Sequence, residues 1–246
     1  MSLSHWVKDF DYRFVLPAIT KFPLPVAKRL VDWRGDLTYL LRRKARKTSI
    51  ANMSRALPDV PLKSIRRNVR YSCRALSRDE SDSYWLHWPL DRLRALVEIS
   101  GLDVLDSALK SGQGVILFTG HIGSTGLFIT ALGKRGIPIN LVFRSLEDIH
   151  FMPPAWYRYG NMRVQRLEKA SGRPILHAGR TNYFSMRKRL RQGEIVLMGL
   201  DVIPSLVGRT VGVSFLGTQA RFPDGIARLY LDTGARVLFW HIHRGD

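Results

Sequence analysis

The stretch GVILFTGHIGSTGLFITAL, residues 114–132, decides how this chain is read. GVILFTG is a short apolar run bounded by glycine, the pattern of a strand buried on both faces. LFITAL resumes the apolar character after a glycine-rich turn, and Ser124 or Thr125 stands where a helix N-cap belongs. The stretch therefore predicts strand, turn and helix, with His121 on the turn. In open parallel sheets ligands bind beyond the carboxyl ends of the strands, so His121 faces the expected crevice. An imidazole there can take a proton from a hydroxyl or amine near neutral pH. Backbone amides of the turn can stabilise an oxyanion or hold a phosphate. A histidine that only caps a turn fits the same spacing.

Working outward, IPINLVF (137–143), RPILHA (173–178), EIVLMGL (194–200) and ARVLFWHIH (235–243) repeat the apolar-run pattern, with amphipathic segments between most of them. That alternation predicts an α/β fold, a mostly parallel sheet covered by helices. The residues just past the runs are the places to look for chemistry: Gly120 to Gly126, Arg144 and Asp201. Upstream, LVDWRGDLTYLLRRKARK and LKSIRRNVRYSCRAL carry helical periodicity, and Pro23, Pro25, Pro58, Pro61 and Pro89 punctuate them. The expected organisation is a helical, membrane-facing N-terminal region over residues 1–110 and an α/β core over residues 111–246.

Among 246 residues, 39 Lys and Arg stand against 20 Asp and Glu, a formal charge of +19 that implies a polyanionic partner. No helix-turn-helix, RNA-recognition or zinc-finger pattern accompanies the charge, so nucleic acid is not expected. The one cysteine, Cys73, excludes an internal disulfide, and no Cys/His spacing suggests a metal site. No apolar run reaches the roughly 18 residues that suggest a membrane-crossing helix. The opening MSLSHWVKDFDYRFVLPAITKF lacks a cleavage site and mixes aromatic with basic residues, which suits lying on a membrane. Basic runs at Arg42, Arg43, Lys44, Arg46, Lys47 and at Arg187, Lys188, Arg189, Arg191 would each gain about 1 kcal/mol per cation from anionic lipid. Peripheral attachment to the cytoplasmic face of a membrane is the expectation. Trp156, Tyr157 and Tyr159 could line an acyl channel, though core packing is the commoner use of such a cluster.

The same turn carries a resemblance. The late acyltransferases of lipid A biosynthesis, like their lysophospholipid acyltransferase-like relatives, place a His, four residues and then an acid after this kind of strand, often as HFGNWE. Here the positions read His121, Ile122, Gly123, Ser124, Thr125, Gly126, so the histidine and first glycine agree and the acid does not. RKTSIANMSRALPDV (with Asn52 and Pro58), INLVFRSL (ending near Arg144), RKRLRQGEIVLMGLD (Val202 follows where Gln is usual) and VGVSFLGTQARFPDGIARLYLDTGARVLF are similar to further family segments in the same order. The resemblance implies a glycerolipid acyltransferase-like fold, lacking the usual C-terminal segment. It implies transfer of a fatty acyl group from an acyl carrier protein or coenzyme A thioester to a hydroxyl or amine, with no metal or redox cofactor. His121 is then the base, and Gly123, Ser124, Gly126 and Arg144 bind substrate. Arg144 could hold a coenzyme A or lipid phosphate, or pair with Glu147 or Asp148 at the surface.

Gly126 leaves the histidine without the family's carboxylate, a loss worth up to ~10⁴-fold in the serine protease template. Asp201 is the best substitute, since it leaves a neighbouring run at the same expected sheet edge, although a turn or cap role fits it too. Restoring an acid with Gly126→Glu is expected to raise the rate about 10-fold. A catalytically degenerate lipid-binding protein on the same fold is the alternative. An NADP-binding oxidoreductase is a weaker one, because Gly120, Gly123 and Gly126 are spaced G-x-x-G-x-x-G and not G-x-G-x-x-G.

Overall fold

The computed structural model describes residues 3–143, 152–177, 180–202 and 209–242. The chain opens on α1 (Leu3–Phe10), a π turn over Asp11–Val15 and α2 (Leu16–Ile19). Tyr12 and Leu16 point inward, whereas Trp6, Phe10 and Phe14 stack one after another on the outside. Then come α3 (Leu24–Leu41), α4 (Arg43–Ala56), α5 (Leu62–Asp82), α6 (Leu90–Leu93) and α7 (Leu102–Lys110). Pro23, Pro61 and Pro89 stand at the N-caps of α3, α5 and α6, where a missing N–H costs nothing. Antiparallel packing of α3 on α5 is close because of Gly35, whose Cβ would lie 2.5 Å from Arg74 Cα. Ion pairs stitch this region: Asp36 with Arg70 and Arg74, Asp32 with Arg78, and Arg34 with Asp11 and Glu80.

The second half alternates as the apolar runs predict. β1 (Val115–Thr119), α8 (Thr125–Gly133), β2 (Ile139–Phe143), α9 (Pro154–Ser171), β3 (Leu176–His177), α10 (Arg180–Arg191) and β4 (Ile195–Gly199) are followed by β5 (Thr210–Phe215), β6 (Thr218–Pro223), α11 (Gly225–Thr233) and β7 (Arg236–Phe239). Five strands form one parallel sheet in the order β3-β2-β4-β1-β7. Alternate strand residues serve the two faces. Val115, Leu117, Ile195 and Leu197 pack with α8, Leu86 and Leu167, while Ile116 and Val196 pack with Met186, Leu190 and Leu229.

Two strands are shorter than the apolar runs suggest. Of RPILHA, Arg173 to Ile175 stay outside the strand and Leu176 and His177 are its described residues, at the sheet edge with β2 as their neighbour. ARVLFWHIH leaves the sheet after Phe239, where Trp240 turns to stack on Phe128 at 3.9 Å. β5 and β6 form an antiparallel hairpin outside the main sheet. No helix among the described residues is long and apolar enough to cross a membrane. Salt bridges Asp79–Arg163 and the packing of Tyr12 on Tyr159 fasten the helical region to α9.

Candidate functional site

β1 and β4 are adjacent and parallel with Thr119 opposite Gly199, so their carboxyl ends emerge side by side. The Leu200 N–H donates to the Thr119 carbonyl at 2.8 Å and locks the two exits together. That registry brings His121 and Asp201 into contact across 80 residues of sequence. Asp201 Oδ1 lies 2.7 Å from His121 Nδ1, and Asp201 Oδ2 accepts the backbone N–H of His121, also at 2.7 Å. One carboxylate thus takes two donors from one residue, which sets both the backbone and the ring. With Nδ1–H engaged, the lone pair sits on Nε2, and the His121 side chain is 77% exposed.

Glycines make the room. A Cβ at Gly199 would lie 3.5 Å from His121 Cε1 and 3.7 Å from Asp201 Oδ1, and one at Gly120 would lie 3.5 Å from Asp201 Oδ2. Any longer side chain at either position would crowd the pair. Desolvation alone would raise the Asp201 pKa, but the backbone N–H and ring of His121 outweigh it and hold the carboxyl below its ordinary value. Asp201 is accordingly ionised at neutral pH and aimed at the imidazole.

The other end of the turn is built differently. Gly123 has φ of +72°, and a Cβ there would come within 2.8 Å of Ile242, so this glycine serves a close packing contact. Ser124 occupies the N-cap of α8 as expected, yet its side chain does not cap the helix. Its buried Oγ has no well-formed hydrogen bond, although the hydroxyl stands near enough to the Asp82 carboxyl to draw its pKa down. Burial is the larger influence on Asp82 and pushes it up to about 7. Gly126 is buried, and its Cβ would meet both Leu86 methyls at 3.4 Å and Leu167 at 3.7 Å. The position where the family keeps its acid here faces apolar core, so the rate gain expected of Gly126→Glu is withdrawn on physical grounds.

Sequence reasoning passed over Asp82, which lies among Asp79 and Glu80 in what reads as a solvated acidic end of α5. Arg144, Glu147 and Asp148 lie outside the described residues. Tyr159 packs against Tyr12 and Tyr84 and hydrogen-bonds Ser83 at 3.0 Å, and Trp156 joins the same cluster, so both serve the core. Chemically, the turn offers an exposed imidazole with one nitrogen fixed by an ionised carboxylate and the other free to act as a base.

Comparison with known proteins bears on what reaction such a base serves. The family described as bacterial lipid A biosynthesis acyltransferase matches residues 2–246. A phosphatidylinositol mannoside acyltransferase of Mycobacterium tuberculosis (strain ATCC 25618 / H37Rv) is 29% identical over 146 residues, 58% of this chain and 43% of that protein. Its counterpart in strain CDC 1551 / Oshkosh is likewise 29% identical over 146 residues. The matched part is less than half the length of these relatives, at 43%.

Proposed function

Because the chain belongs to the bacterial lipid A biosynthesis acyltransferase family, we propose that it moves a fatty acyl group from an acyl carrier protein or coenzyme A thioester to a hydroxyl or amine of a lipid or metabolite acceptor. The supporting observation is the His121–Asp201 pair, with both contacts at 2.7 Å. His121 Nε2 takes the acceptor proton while the acceptor oxygen or nitrogen forms its bond to the thioester carbonyl carbon. The carbon–sulfur bond then breaks, and the thiolate leaves with the proton that the imidazolium returns. Asp201 stabilises that imidazolium and fixes the ring, as the aspartate does behind a hydrolase histidine. Backbone amides of the glycine-rich turn would supply the donors for the oxyanion. Neither a metal nor a redox group takes part in this scheme.

The test is transfer of a labelled acyl chain from acyl carrier protein and from coenzyme A to a lipid extract, read by mass spectrometry, with His121→Ala as control. Transfer that survives His121→Ala unchanged would remove His121 from the reaction, and a parent protein that binds lipid but transfers no acyl chain from either donor would leave a lipid-binding descendant of the fold. The protein is further proposed to work at the cytoplasmic face of a membrane, attached peripherally. Trp6 and Phe10 are exposed on the opening helix and Phe14 on the π turn that follows, and Trp33, Leu37, Leu40 and Leu41 are exposed on α3 beside the basic run from Arg42. Binding to anionic vesicles should exceed binding to neutral ones and fall in 1 M salt, where the Debye length is ~3 Å. Equal binding to both vesicle types would remove the electrostatic part of this reading.

A further inference from the structure

Away from the histidine turn, α3, α4, α5 and the tip of the β5–β6 hairpin surround a pocket of about 610 Å³. That volume is in the range of small-molecule sites. Its lining includes neither His121 nor Asp201. Val69, Cys73 and Leu76 of α5 form one side, and Met53 and Leu57 of α4 another. Leu216 of the hairpin completes the apolar part. It is the one non-glycine residue among those described with a positive φ, +48°. A leucine in that conformation costs on the order of 1–2 kcal/mol, which Asn or Gly would avoid in the same turn. Strain held at a hairpin tip beside a pocket points to use of that side chain.

The rim is cationic. Arg46 is committed to the fold: its Nη1 donates to the carbonyls of Tyr39 and Leu40 at 2.8 and 3.1 Å, and its guanidinium stacks on the Tyr39 ring. Arg42 is exposed, and no carboxylate pairs with it among the described residues. Lys8 lies close enough to Arg42 that its ammonium is pushed down first by burial and then by that neighbouring charge. An anion at the rim would relieve this repulsion.

We propose that the pocket binds a single-chain anionic amphiphile, its alkyl chain against Val69, Leu76, Met53 and Leu216 and its head group on Arg42, at a site separate from the His121–Asp201 pair.

Cys73 is the one cysteine of the chain and lines the pocket, so its alkylation reports occupancy. Burial pushes its thiol up, and modification by N-ethylmaleimide is followed at a fixed pH of 8. Dodecyl phosphate below its micellar concentration should slow the reaction at least ~10-fold at saturation, inorganic phosphate should not, and dodecyl maltoside should need a roughly 10-fold higher concentration. Ala56→Trp should fill the pocket and abolish protection. Ala45→Trp, at an exposed rim position, repeats the test should the first variant not fold. Arg42→Glu should erase the preference for the anionic head, and His121→Ala should leave protection intact. An alkylation rate indifferent to dodecyl phosphate overturns the proposal, as does equal protection by the neutral amphiphile. Protection that disappears in His121→Ala overturns the separateness of the two sites.

Discussion

Two carboxylates flank the histidine turn, and the turn treats them in opposite ways. At the strand end, Asp201 receives a backbone N–H and a ring nitrogen of His121 at 2.7 Å each, and its pKa is held down. At the helix end, Asp82 sits beneath Ser124, burial dominates, and its pKa is pushed up to about 7. Paired acids driven apart in this way mark which can stay charged beside a base. The strand exits of β1 and β4 offer donors and glycine-made room, whereas the start of α8 offers Leu86 and Leu167. The turn thus keeps its ionised carboxylate where donors solvate the charge, while the helix end holds Gly126 and an acid whose charge burial disfavours.

The sharpest break of this comparison is at the strand end. His121→Ala should abolish acyl transfer. Asp201→Asn should lower kcat by about 10²–10⁴, since an amide keeps much of the shape but stabilises no imidazolium. Initial rates with an acyl thioester donor measure both. An Asp201→Asn enzyme within twofold of the parent would mean that the two contacts hold the turn and nothing more.

At the helix end the expected effect is on stability. Gly126→Glu puts a carboxylate against the Leu86 methyls with no donor to receive it, and should cost about 3–5 kcal/mol in urea unfolding without raising the rate. A variant that melts like the parent and reacts faster would show that the new side chain escapes toward His121.

Asp82 supplies the third test. Its folded pKa near 7 is above the ordinary carboxyl value near 4, so the native state keeps a proton that the unfolded chain has released in between. Unfolding free energy from this group therefore falls as pH rises from about 4 to 7 and is level above that. Asp82→Asn should flatten the slope and gain on the order of 1–2 kcal/mol at pH 8, read from urea midpoints across pH. An unchanged slope would mean that Asp82 reaches water.

These features were legible in the sequence to different depths. The runs around Leu117, Leu141 and Leu197 announce strands because both sheet faces are covered, so no polar alternation interrupts them. Asp201 could be picked out because a parallel sheet gathers the carboxyl ends of its strands, and the β1–β4 adjacency then supplies the contact. The direction in which Gly126 faces was not legible. It depends on how Leu86, in the turn after α5, and Leu167 of α9 pack on α8, a tertiary fact without local signature, and the family motif suggested the opposite. Asp82 was hidden for the same reason, because α5 looks solvated at that end until Ser124 and α8 cover it. The hairpin pocket was also out of reach, since it joins Leu216 to helices well over 100 positions earlier in the chain.

The smallest expected effect is also the cleanest probe of the helix end. Gly126→Ala adds one methyl group at 3.4 Å from the two Leu86 methyls, ordinary van der Waals contact, so no neighbour has to move. Alanine also restricts the unfolded chain and favours helix, together worth about 0.5–1 kcal/mol, less at a position so near the helix start. The variant should be stabilised by up to about 0.5 kcal/mol, with acyl transfer unchanged. Because the methyl group carries no charge, it separates space from electrostatics in Gly126→Glu: a stable alanine beside an unstable glutamate assigns the loss to the buried carboxylate. If alanine lowers the rate while leaving the urea midpoint alone, the backbone at 126 approaches substrate more closely than packing alone requires, and the helix end of the turn belongs to the reaction after all.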